Sequence, residues 1–144
     1  MKKITMWLVG LVMLLALQAV AQEHYTEGPV WRVTTVRVKP AQMDAYLTSL
    51  RQGSKPLLDE QKRQGLIMDY KIFLKETTEN PKDWDLALCV LYKHHAAMDG
   101  LTAKAEAVRD KILGGKQQAQ QLGQKREEIR EILSSQQLQE IILK

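Results

Sequence analysis

The residues able to do chemistry in this 144-residue chain sit mainly on two short segments of alternating character. If Val30 to Lys39 is a strand, every second side chain shares a face, which groups Trp31, Thr35 and Arg37. The same alternation in Leu66 to Lys75 groups Asp69, Lys71 and Phe73. Two rings could stack on a flat molecule, two cations could hold a carboxylate or phenolate, and one carboxylate could act as a base. Trp31, Arg37, Asp69, Lys71 and Phe73 are therefore the candidate small-molecule site. The plainer alternative is an edge ion pair at Asp69 with the aromatics packed in an interface, because interfaces use the same residue types.

His94 and His95 follow a third apolar segment. Adjacent side chains in extended backbone point opposite ways, so the two do not readily share one metal. His94 joins the candidate ligand-binding residues as a base or haem ligand; the alternative is a residue that caps or precedes the next helix. Cys89, the single cysteine, stands in Leu86-Ala87-Leu88-Cys89-Val90-Leu91 and is expected to be a buried thiol. Met43, Met68 and Met98 fall at core-like positions and read as gap fillers. No Cys-x-x-Cys, His-x-x-x-His, glycine-rich phosphate loop or Ser-His-Asp pattern is recognisable, and no cofactor is expected. One remote metal candidate is His24, third in Gln22-Glu23-His24, where a free amine, two amides and an imidazole could surround Cu(II) or Ni(II).

The elements that must position these residues can be read from periodicity. Val30–Lys39 is β-branched and ends at Pro40, which suits a strand followed by a helix opening on the proline. Met43, Leu47, Leu50, Leu57 and Leu58 keep helical spacing, Gly53 and Pro56 predict a kink, and Gly65 a left-handed cap. Leu66–Lys75 and Trp84–Lys93 form a hairpin across a turn at Glu76–Asp83. Leu101, Ala105, Val108 and Ile112 mark a helix that Gly114-Gly115 breaks; a second piece runs from about Gln117 to Leu133, with Leu122, Ile129, Ile132 and Leu133 inward. The Ser134-Ser135 break and the Ile141-Ile142 pair make Leu138–Lys144 a fourth strand, with a helical extension as the alternative. The order β-α-β-β-α-β is the α+β, ferredoxin-like arrangement, an antiparallel sheet with helices on one face.

Residues 1–21 read as a signal peptide. Lys2-Lys3 precede an apolar run from Met6 to Leu17, and Ala19-Val20-Ala21 is a small-x-small cleavage site. Residues 22–144 then form a single domain, secreted or periplasmic. Those first residues hold two lysines and no acid, so the remainder carries nineteen Lys and Arg against seventeen Asp and Glu. A net +2 spread along the chain gives no case for nucleic acid, and no second apolar run approaches membrane length.

Strand three is apolar on both sides: Trp84, Leu86, Leu88, Val90 and Tyr92 on one, Ala87, Cys89 and Leu91 on the other. Trp31, Val33, Ile67 and Phe73 enlarge the second face. A contiguous apolar face of that kind predicts a partner, most simply a second copy packed sheet to sheet as a homodimer enclosing a barrel. Here the chain resembles the dimeric α/β-barrel superfamily, with its antibiotic-biosynthesis-monooxygenase-like and NIPSNAP-like members. The resemblance rests on Val33–Lys39, Pro40-Ala41-Gln42-Met43-Asp44-Ala45-Tyr46-Leu47, Gln64-Gly65-Leu66-Ile67 and Tyr92-Lys93-His94-His95-Ala96-Ala97-Met98-Asp99. It implies a fold, and no family catalytic set maps onto these residues. The expected function is binding of a small apolar or aromatic molecule in the barrel, with its transformation as the enzymatic version. An enzyme version would be a cofactor-independent oxygenase or isomerase using Arg37, Asp69 or a histidine. The competing class is an interaction protein whose barrel is filled by side chains.

Overall fold

The computed structural model describes residues 24–77 and 80–144; the expected signal peptide lies outside them. The chain divides into two compact units. The larger, residues 29–140, carries nearly all of the elements. The described residues of the smaller are 24–28 and 141–144, where the Lys144 N–H donates to the His24 carbonyl at 3.1 Å.

The elements follow the expected order: β1 (Tyr25–Val38), α1 (Met43–Ser49), a π-helical turn (Leu50–Ser54), α2 (Lys55–Arg63), β2 (Asp69–Leu74), β3 (Leu86–Tyr92), a 3-10 turn (His95–Met98), α3 (Leu101–Leu113), α4 (Lys116–Ile129) and β4 (Arg130–Leu143). The sheet is antiparallel in the order β2-β3-β1-β4. Val30 stands opposite Tyr92 and Val36 opposite Leu86; Tyr70 stands opposite Val90 and Leu74 opposite Leu86. The fold is the ferredoxin-like α+β arrangement.

Alternation divides the sheet into two faces. Val30, Val36 and Val38 of β1 and Leu86, Val90 and Tyr92 of β3 are buried on the helix side. They form two clusters. One joins Val30, Val90, Tyr92 and Ile67 with Leu58 of α2; the other joins Val36, Val38 and Leu86 with Tyr46 of α1 and Leu50. Met43 and Met98 pack against these clusters, as gap fillers should. On β1 the positions between the clusters are Arg32 and Thr34, so a polar step interrupts an otherwise apolar side.

Several expectations need correction. Pro40 does not open the helix. It sits in a turn closed by the Gln42 N–H on the Lys39 carbonyl, with Ala41 at φ +61°, and α1 begins at Met43. The expected kink is a π-turn that contains Gly53, and Pro56 falls at the tolerated start of α2. β1 begins at Tyr25, five residues before the apolar run, and β2 starts only at Asp69. Ile67 therefore precedes the strand, drops into the helix-side core, and does not enlarge the open face. Met68 is 48% exposed and fills no gap. The last helix stops at Ile129, and Ile132 and Leu133 stand exposed on β4. Ser134-Ser135 is not a break: those hydroxyls meet Thr35 and Thr34 of β1 at 2.8 and 3.3 Å in mid-strand. Gly65 (φ +71°) ends α2 as expected, and Cys89 is buried.

Candidate functional site

Of the residues expected to bind a ligand, Trp31, Arg37, Asp69, Lys71 and Phe73 gather on the open face of the sheet, and His94 stands apart from them. Trp31, Leu91 and Asp69 are in register across three strands, as are Val33, Cys89 and Lys71, then Thr35, Ala87 and Phe73. The Lys71 ammonium lies 5.8 Å from the centre of the Trp31 ring, a cation–π contact. Phe73 is 50% exposed. The two charges most useful for catalysis already have partners. Arg37 donates to Glu131 of β4 at 2.6 Å, and Lys62 of α2 donates to Asp69 at 2.7 Å. Lys62, followed by the Tyr70 backbone N–H, holds the Asp69 carboxyl below its usual range. Cys89, flanked by Val33 and Lys71, has its thiol pushed up by burial, the opposite of what a nucleophile needs.

His94 adopts extended backbone at the end of the β3 segment, and its Nδ1 accepts the Ala97 N–H at 3.0 Å, capping the 3-10 turn. His95 is exposed within that turn. His24 precedes β1; Gln22 and Glu23, its partners in the copper expectation, lie outside the described residues. Among the described residues no three of His, Cys, Asp and Glu group as metal ligands.

A cleft lies on the other side of the sheet, and its central residue is Arg32. Strand parity places Arg32 with Val30 and Val36, facing the helices from the middle of an inner strand. The cleft encloses about 340 Å³ and is walled by Leu57 and Gln61 of α2, Tyr92, Met98, and Leu101 and Ala105 of α3. The guanidinium lies 5.0 Å from the centre of the Tyr92 ring, and its Nη2 is 3.8 Å from the Met98 Sδ. No carboxylate stands within 4 Å of it among the described residues. The other polar groups on the wall are Thr102, Glu106 and Arg109, and Arg109 already donates to Asp110 at 3.0–3.1 Å. Burial raises the Tyr92 phenol, against the opposing pull of Arg32, so it stays neutral and available as a hydrogen-bonding group. The arrangement is a half-buried cation in a cleft whose wall is shared about evenly by polar and apolar side chains, with an aromatic face beside the guanidinium. Sequence reasoning missed it, although a signal was present: Arg32 is the one charged residue on the Val30, Val36, Val38 side of its strand.

No family model matches the sequence, and no curated protein is similar to it. Solved structures share the fold. A NIPSNAP family protein of unknown function from Agrobacterium tumefaciens superposes with a TM-score of 0.52 at 12% identity, over 83% of this chain and 93% of that one. A dimeric ferredoxin-like protein from an uncultured marine organism gives 0.50 at 10% identity, over 83% and 90%. The likeness is one of fold, and it agrees with the architecture expected from the resemblance noted in the sequence.

Proposed function

We propose that this protein binds a small, largely apolar molecule bearing one carboxylate, with the acid on Arg32 and the body between α2, α3 and Tyr92. The observation that carries this reading is an arginine on the helix side of the sheet, facing a cleft, with no carboxylate within 4 Å among the described residues, although Glu106 lies on the cleft wall. The guanidinium is half-buried, and a ligand carboxylate entering the cleft would replace water on its donors with charge-assisted hydrogen bonds. Guanidinium is also suited to carboxylates because its donors form a planar fork. The test is calorimetric titration with 2-naphthoate and with neutral 2-naphthalenemethanol. Naphthoate should bind saturably, and Arg32→Met should weaken it ten-fold or more while changing the alcohol little. A charge-assisted hydrogen bond contributes about 1.5–3 kcal/mol, which sets that scale. Equal losses for both compounds, or no saturable binding of naphthoate, would sink the reading.

The open face supports a second component, a homodimer. Trp31, Val33, Leu91 and Phe73 surround the buried Ala87 and Cys89, and both core clusters lie on the opposite side. Pairing two such faces would bring Trp31, Lys71 and Phe73 from both copies to the seam. The marine protein of the same fold is itself dimeric. In this reading Trp31, Arg37, Asp69, Lys71 and Phe73 line the inside of the barrel. Export belongs to the same proposal. Mass spectrometry of protein recovered outside the cytoplasm of its native host should find Gln22 as the first residue. A full-length chain retained in the membrane would refute it.

A further inference from the structure

A second groove, independent of Arg32, lies between α1 with its π-turn and the far end of α4. It encloses about 520 Å³, and Thr48, Gln52, Gly53, Leu122, Lys125 and Arg126 lie on its walls. Arg126 is partly buried, and among the described residues its one hydrogen bond is a long one, from Nη2 to the Ser49 carbonyl at 3.4 Å. Its Nε is buried and has no hydrogen-bond partner among the described residues; the Nε of Arg130, four residues on, is in the same condition. The Arg130 guanidinium lies 5.9 Å from the centre of the Tyr46 ring. Neither arginine has a carboxylate within 4 Å among the described residues, although Glu128 lies on the groove wall. Two like charges with orphaned donors, one in the last turn of α4 and the other at the first residue of β4, repel each other and have no ion-pair partner among the described residues. Burial, then the Arg130 charge, pulls the Arg126 guanidinium below its usual value.

The backbone opposite is shaped to admit that guanidinium. Gly53 lies in the π-turn, and a Cβ there would come within 2.8 Å of the Arg126 Nη2. π-turns inside helices frequently mark functional positions. Thr48 and Gln52 are spaced i, i+4 and so share one helix face, where they offer a hydroxyl and an amide beside the cations. Ala45, Leu122 and Ile129 supply apolar wall.

We propose that this groove binds a phosphate monoester with an apolar body, its head held by Arg126 and Lys125 with Thr48 and Gln52, and its body against Leu122 and Ile129. Arg126 and Lys125 put two cations on the groove wall, and a dianionic tetrahedral head has the charge and the oxygens to answer both, whereas a single carboxylate carries one charge. The experiment is an NMR titration of the full chain with phenyl phosphate at low ionic strength. The amides of Thr48, Gln52, Gly53 and Arg126 should shift saturably, and those of Thr102 and Arg109 in the Arg32 cleft should not. Arg126→Gln should weaken binding at least ten-fold. Lys125→Met, at an exposed position that leaves the fold intact, should weaken it several-fold; Arg32→Met should leave it unchanged. Failure of the Arg32 cleft to bind naphthoate has no bearing on these outcomes. Benzoate binding as tightly as phenyl phosphate, shifts confined to other residues, or undiminished affinity in Lys125→Met would overturn the proposal. Cosedimentation with phosphatidate vesicles that phenyl phosphate competes away would identify the monoester as a lipid headgroup; binding of phenyl phosphate alone would identify a soluble compound.

Discussion

At the scale of single residues, Arg32 connects stability and function. A methionine of similar length there would join Met98, Leu101 and Tyr92 without the partial desolvation penalty of a half-buried guanidinium. Arg32→Met should therefore raise the unfolding free energy by about 1 kcal/mol while removing acid binding, a trade often seen where a site is strained for function. A fall in the thermal midpoint would mean that the cation–π contact with Tyr92 outweighs that penalty. A second residue-level outcome concerns acid. Glu60 is held at about 2 by hydrogen bonds from Arg63 and then Gln64, against an ordinary value of 4.5. Its folded value lies below its unfolded one, so its contribution is complete above about pH 4.5 and is lost as pH falls to about 2. Glu60→Gln should flatten that limb of the midpoint-against-pH curve, and the difference should shrink in salt because Arg63 is exposed. Cys89 was legible in the sequence because every neighbour is apolar. Arg32 was overlooked because the eye groups Trp31 with Arg37 and does not test the other parity for a misplaced charge.

At the scale of elements, the hairpin, the β-α-β-β-α-β order and the left-handed Gly65 followed directly from alternation and glycine placement. The errors concentrate where tertiary pairing overrides local preference. Arg130 to Leu133 continues the helical spacing of α4, yet the chain turns extended because β1 offers an unpaired edge and Thr34 and Thr35 offer hydroxyls to Ser135 and Ser134. The π-turn is likewise invisible to periodicity: one inserted residue in the helix leaves the apolar positions near their expected spacing. It makes a specific prediction. At Gly53 the atom an added Cβ meets is the mobile end of Arg126, so Gly53→Ala should change stability by less than about 1 kcal/mol, helped by alanine's higher helix propensity. The same change should displace the guanidinium and lower the affinity for phenyl phosphate. At Gly65 the outcome differs, because φ +71° disfavours any Cβ; Gly65→Ala should cost about 1 kcal/mol in urea unfolding.

At the scale of the whole molecule, the two faces of one sheet have opposite roles, and one strand tests the division. Leu86, Leu88, Val90 and Tyr92 of β3 serve the helix-side core, whereas Ala87, Cys89 and Leu91 serve the open face. A change confined to the second set should separate assembly from folding. Leu91 stands between Trp31 and Asp69 in register and is only partly buried in one copy of the chain. Leu91→Arg would leave the long side chain free to reach water in a single copy but would bury its charge against the partner in a sheet-to-sheet dimer. An unpaired charge in such a seam costs several kcal/mol, comparable with the association energy of an ordinary interface. Sedimentation should show the natural chain as a dimer at micromolar concentration and Leu91→Arg as a monomer with unchanged far-ultraviolet circular dichroism. Leu86→Ala, fully buried on the other face, should instead lower stability by about 2–5 kcal/mol whatever the assembly state. If Leu91→Arg remains dimeric, the copies meet through some other surface. If the natural chain is monomeric at that concentration, the exposed Phe73 and its neighbours need a different partner, and the barrel reading of Trp31, Arg37, Asp69, Lys71 and Phe73 falls with it. The Arg32 cleft, walled entirely by residues of one chain, would survive either result.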